Sequence, residues 1–62
     1  MPIIEVKIYD RRLGPEATPR IIEKLTQALA DACEDEGVKQ YTQVVVTGVA
    51  PGNWGIAGEA QG

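Results

Sequence analysis

Residues 2 to 9, Pro-Ile-Ile-Glu-Val-Lys-Ile-Tyr, alternate: Ile4, Val6 and Ile8 fall on one side of an extended chain, Glu5 and Lys7 on the other. A period of two predicts a half-buried strand, with Pro2 tolerated at its first position because no ladder donor is needed there. Asp10-Arg11-Arg12-Leu13-Gly14-Pro15 is polar and ends in turn residues, so a loop follows. From Pro19 to Glu36 the spacing changes to threes and fours. Ile21, Ile22, Leu25, Ala28, Leu29, Ala32 and Cys33 then form one buried stripe on a helix of about five turns. We place Thr18 at the N-cap, with Glu16 and Ala17 in a lead-in turn, and Gly37 as the left-handed residue that ends the helix. Cys33, on the stripe, is expected as a core thiol. Asp31, Glu34, Asp35 and Glu36 read as solvated charge, the last two opposing the helix dipole.

Thr42 to Val49 is apolar on both sides and reads as a central, well-covered strand. Strand, helix and strand in this order make a right-handed crossover with the two strands parallel. In the tail, Pro51-Gly52 signals a turn, and small residues alternate with Trp54 and Ile56, which predicts a short hairpin reaching onto a neighbouring subunit. The expected fold is α/β (α+β): one domain over residues 1–62, a β-α-β unit with parallel strands and a C-terminal β-hairpin. One helix covers only one face of such a sheet, so a second copy of the chain is expected on the other.

Size points the same way. A chain of 62 residues buries only about 60% of its unfolded surface and needs disulfides, a metal or self-association. Cys33 is the only cysteine and there is no histidine, so an internal disulfide is impossible and no metal site is expected. A homo-oligomer is the remaining expectation. The net charge of −3 argues against nucleic acid as a partner. No apolar run reaches the roughly 20 residues of a membrane span, and no signal peptide is visible, so no membrane and a cytoplasmic location are expected.

Without histidine, the usual triads of nucleophile, base and orienter are unavailable. Gly52, Gly55 and Gly58 follow a turn instead of joining a strand to a helix, so they are not a phosphate loop. The distinctive group is Pro2: after removal of Met1 it carries a secondary amine. Desolvation and nearby guanidinium groups would penalise its protonated form, lowering its pKa toward neutrality and making it a general base. Arg11 and Arg12 lie just past the first strand, either as site cations or as solvated loop charges.

Pro2 behind a removable methionine, Arg12 after the first strand, the Val44-Val45-Val46 run and the tail Pro-Gly-Asn-Trp-Gly-Ile-Ala-Gly-Glu together resemble the small subunits of the 4-oxalocrotonate tautomerase family. The resemblance covers nearly the whole chain. It implies a hexamer, a trimer of dimers, that needs no cofactor and moves a proton between oxygen and carbon of an enol or unsaturated keto acid. Carried over by position, Pro2 is the general base, Arg12 binds a substrate carboxylate, and Trp54 forms an apolar wall that excludes water. Gln43 stands where the prototype has a second arginine. It can donate a hydrogen bond to a keto oxygen but offers no charge, and Arg11 or Lys39 is a candidate to compensate. Two other functions fit: a partner subunit in a mixed hexamer that supplies the missing arginine, and a haloacrylate hydratase or dehalogenase with a protonated proline.

Overall fold

A computed structural model describes residues 1–62. Strand β1 (Ile3–Tyr9) leads through a 3-10 turn at Asp10–Arg12 into helix α1 (Ala17–Cys33), and a second 3-10 turn at Glu36–Gln40 leads into β2 (Gln43–Val49). Strands β3 (Trp54–Ile56) and β4 (Glu59–Gln61) close the chain as an antiparallel hairpin. β1 and β2 pair in parallel, Ile3 beside Gln43 through Tyr9 beside Val49, as expected for the crossover. The hairpin turn is Ala57-Gly58, with φ of 53° and 83°, the two positive angles that suit tight antiparallel connections.

Ile4, Val6, Ile8, Val44 and Val46 share one sheet face in this register and are half-buried. α1 lies over β2 more than over β1. A cleft of about 440 Å³ therefore remains between Val6 and Ile8 of β1 and Arg20, Ile21, Lys24 and Leu25 of the helix. The opposite face is open, with Ile3 59% and Val45 50% exposed.

Several boundaries differ from expectation. Thr18 is inside the helix, not its N-cap; Glu16 occupies that position, with no side-chain cap. Thr18 instead reaches back: Gly14 N–H donates to its Oγ1 at 3.2 Å, and its own N–H donates to Gly14 O at 3.1 Å. Pro19 is accommodated because the amides of a helix's first turn have no intrahelical acceptor, so a missing N–H costs nothing there. At the other end α1 stops at Cys33, and Glu34, at φ 53°, takes the left-handed position that was assigned to Gly37. Asp35 N–H donates to Ala30 O at 3.1 Å, which closes the last turn. Asp35 and Glu36 accordingly lie just beyond the C-terminal end of α1. The Asp35 carboxylate accepts from Gly37 N–H at 2.9 Å and caps the second 3-10 turn.

The core is smaller than the sequence pattern implies. Only Ala30 is fully buried, and Cys33, expected in the core, is exposed. The physical reason is width: a two-stranded sheet is narrower than the apolar stripe, so Ile22, Ala28, Ala32 and Cys33 lie beyond its margins. β2 is likewise not central within one chain, since its outer edge is unpaired and Gln43, Val45 and Thr47 face outward. The Cα radius of gyration is 14.1 Å, against about 10.6 Å for a compact domain of this length.

Candidate active site

The candidate residues fall into two groups at opposite ends of β1. At the first end, Pro2 O accepts the Gln43 N–H at 3.0 Å, the opening rung of the parallel ladder. Pro2 is half-buried, while Met1 in front of it is 89% exposed. The Gln43 side-chain amide reaches the Met1 sulfur at 3.7 Å, so the Gln43 side chain lies beside the chain start. Met1 makes little packing, and its removal would leave the Pro2 anchor in place.

At the second end, the Trp54 and Tyr9 rings meet in a tilted arrangement, with centroids 5.1 Å apart and planes at 41°, within the usual range of an aromatic contact. The Arg11 guanidinium lies 4.4 Å from the centre of the Tyr9 ring, within cation-π range. Its Nη1 also donates to Gly62 O at 3.4 Å. Arg11 is thus packed against the aromatic pair, whereas Arg12 is exposed and forms no ion pair. Lys39, the other candidate for compensation, is engaged elsewhere: it pairs with Glu36 at 3.6 Å and donates to Gln27 Oε1 at 2.8 Å.

A cleft of about 230 Å³ opens beside Trp54, lined by Lys7, Val49, Asn53, Trp54 and Gly55. Sequence reasoning did not single out Lys7, Tyr9 or Asn53. For Lys7 and Tyr9 a signal existed: strand alternation sets both on the face opposite Ile4, Val6 and Ile8. No local pattern marks Asn53, because its place depends on how the hairpin folds back.

Gly48 sets the position of the arginine turn. A Cβ there would sit 3.1 Å from Asp10 Cβ and from Leu13 Cδ1, and 3.3 Å from Asp10 Cα. Gly48→Ala is expected to push the Asp10–Arg12 turn off β2 and to destabilise the chain by about 1–3 kcal/mol. A lowered melting temperature would show it; an unchanged one would mean that the turn absorbs the added methyl group.

Pro2 and the Tyr9–Trp54 pair are seven strand residues apart, about 23 Å at strand rise. One chain does not bring them together.

These elements define a small α/β fold with Pro2 at one end of its sheet and an aromatic hairpin at the other. Residues 2–62 match the family model described as tautomerase enzyme, and the chain belongs to that family. Membership supports isomerase chemistry of the tautomerase type. No curated protein sequence matches the chain. No helix is long and apolar enough to cross a membrane.

Proposed function

We propose that the chain is a cofactor-independent tautomerase that interconverts enol and keto forms of 2-hydroxydienoate-type or related enol acids, with the Pro2 amine as general base. The observation that carries this reading is the family match over residues 2–62, which starts at the proline itself. Once Met1 is removed, the Pro2 nitrogen has a lone pair that can accept the enol O–H proton. The same nitrogen then returns that proton to a carbon of the conjugated system as the double bond shifts and the carbonyl forms. No electrons enter or leave, so no cofactor is required.

Around that step Gln43 donates a hydrogen bond to the forming carbonyl oxygen, and Trp54 supplies the apolar wall. Arg12 binds a substrate carboxylate, and Arg11 braces the Tyr9–Trp54 pair by stacking on the Tyr9 ring. The separation of Pro2 from Trp54 requires the complete site to lie between copies of the chain. Unpaired edges on both strands, the cleft between α1 and β1 and the open sheet face support a homo-oligomer, since a lone two-stranded sheet is marginal in water. The hexamer implied by the resemblance is the assembly we propose, in the cytoplasm.

Gln43 favours one competing reading, a partner subunit of a mixed hexamer, because it leaves the position without charge. Intact mass, sedimentation and an ultraviolet assay of 2-hydroxymuconate and phenylenolpyruvate ketonisation, all on the purified protein, decide between them. We expect a mass lacking methionine, an assembly larger than a dimer, and turnover of at least one enol. An assembled, methionine-free chain that turns over neither enol until a second small subunit is added would select the mixed hexamer.

A further inference from the structure

We infer that Arg11 is a positioning residue: seated on the Tyr9 ring and bonded to Gly62, its guanidinium holds the β3–β4 hairpin, and with it the Trp54 wall, against the end of β1. The consequence for turnover rests on the tautomerase reading, whereas the hold itself does not. The hairpin has little else to keep it there. A two-stranded hairpin is marginal by itself, and of residues 51–62 only Trp54 and Gln61 are half-buried, the rest being exposed. One hydrogen bond crosses from residues 50–62 to residues 1–49, that of Arg11 Nη1 to Gly62 O at 3.4 Å. One aromatic contact crosses, that of Trp54 with Tyr9. Arg11 makes the first and stacks on the ring that makes the second, its Cζ 4.4 Å from the Tyr9 centroid.

The base of this hold is firm. Arg11 belongs to the Asp10–Arg12 turn, and the chain there presses so closely on β2 that a Cβ at Gly48 would meet Asp10 Cβ and Leu13 Cδ1 at 3.1 Å. The guanidinium is therefore presented from a packed turn, and the hairpin is the lightly tied part. Neighbours in a 3-10 turn point about 120° apart, so seating Arg11 on Tyr9 turns Arg12 away from it. Arg11 has no carboxylate partner, and nothing competes for that seat. A planar guanidinium suits both tasks at once, since its face stacks while its edge donates; an ammonium has no such face. All of these contacts lie within one chain, so the hold needs no free surface.

Trp54 is the only tryptophan, and its emission reports on the hairpin before any substrate is added. In the assembled, substrate-free protein, Arg11→Gln is expected to shift Trp54 emission to longer wavelength and to raise its quenching by acrylamide. Sedimentation and far-ultraviolet circular dichroism should stay as in wild type. An undocked hairpin lowers the fraction of sites competent to bind, which raises apparent KM and spares kcat. KM for an enol acid should therefore rise about two- to fivefold, the range of a cation-π contact at an exposed site, with kcat retained. A second variant, Tyr9→Leu, removes the seat, so adding Arg11→Gln to it should raise the quenching less than the same change does in wild type. Unchanged Trp54 emission and quenching in Arg11→Gln would overturn the proposal, and a raised KM beside them would make Arg11 a substrate-binding cation instead. Loss of assembly in Arg11→Gln would overturn it in favour of an interface arginine. If wild type turns over no enol acid, a Trp54 exposed by Arg11→Gln upholds the hold while the tautomerase reading of Pro2 falls.

Discussion

Replacing Pro2 with alanine is expected to lower kcat/KM for enol-acid ketonisation by about 10²- to 10⁴-fold, the range that a positioned general base contributes. The substitution is informative because it leaves the architecture alone. Pro2 engages the ladder through its carbonyl, which accepts from Gln43 N–H, and alanine keeps that carbonyl. It contributes no backbone hydrogen bond through nitrogen, so none is lost. The assembly and the circular dichroism of Pro2→Ala should match wild type while the rate falls. Alanine also follows a removable methionine, so the variant presents a primary amine in place of the secondary one. A rate within tenfold of wild type, with Met1 shown by mass to be absent, would move the base elsewhere in the molecule. Protein that retains Met1 should be as inactive as the variant, because its Pro2 nitrogen is an amide.

The second large effect is a gain. Gln43→Arg is expected to raise kcat/KM for a dicarboxylic enol by about tenfold to 10²-fold. Removing one preorganised donor from a site where negative charge develops costs on the order of 10²–10³, and a restored guanidinium without its original supporting contacts should recover part of that. Gln43 is exposed and its backbone is fixed beside Pro2, so the longer side chain meets no buried obstacle within the chain. Steady-state kinetics on 2-hydroxymuconate would show the gain mainly in kcat. Unchanged or reduced turnover would place the Gln43 side chain outside the site.

The order of elements was readable because each signal was local. The alternation from Ile4 to Ile8, the spacing from Ile21 to Leu29 and the Pro51-Gly52 turn are decided within a few residues, and they became β1, α1 and the lead-in to the hairpin. The helix ends were misplaced where two local rules competed. Thr18 has the chemistry of an N-cap, but Pro19 fits inside a first turn as well as after a cap, and the Gly14 contact settled the choice. Gly37 is the better left-handed residue in isolation, yet closure of the helix onto Ala30 O came earlier and fell on Glu34. Burial of Cys33 was misjudged because an apolar stripe does not state how wide its partner sheet is.

For the site, the chemistry-bearing types were visible and their grouping was not. Pro2 and Gln43 share an end only through the β1–β2 register, 41 residues apart in the chain. Arg11, Tyr9 and Trp54 converge because the hairpin folds back on the end of β1. Lys7 was passed over as an ordinary outward strand charge, since its place in the cleft depends on Trp54 arriving beside it.

With one fully buried side chain, the isolated chain has little to set against the conformational entropy lost on ordering its backbone. In the homo-oligomer proposed above, the native state is then a property of the population: abundance enters the folding equilibrium by mass action, and dilution acts as a denaturant. Synthesis level and catalytic competence become linked variables, so a cell that halves production loses more than half of the working sites once chains are scarce enough to come apart.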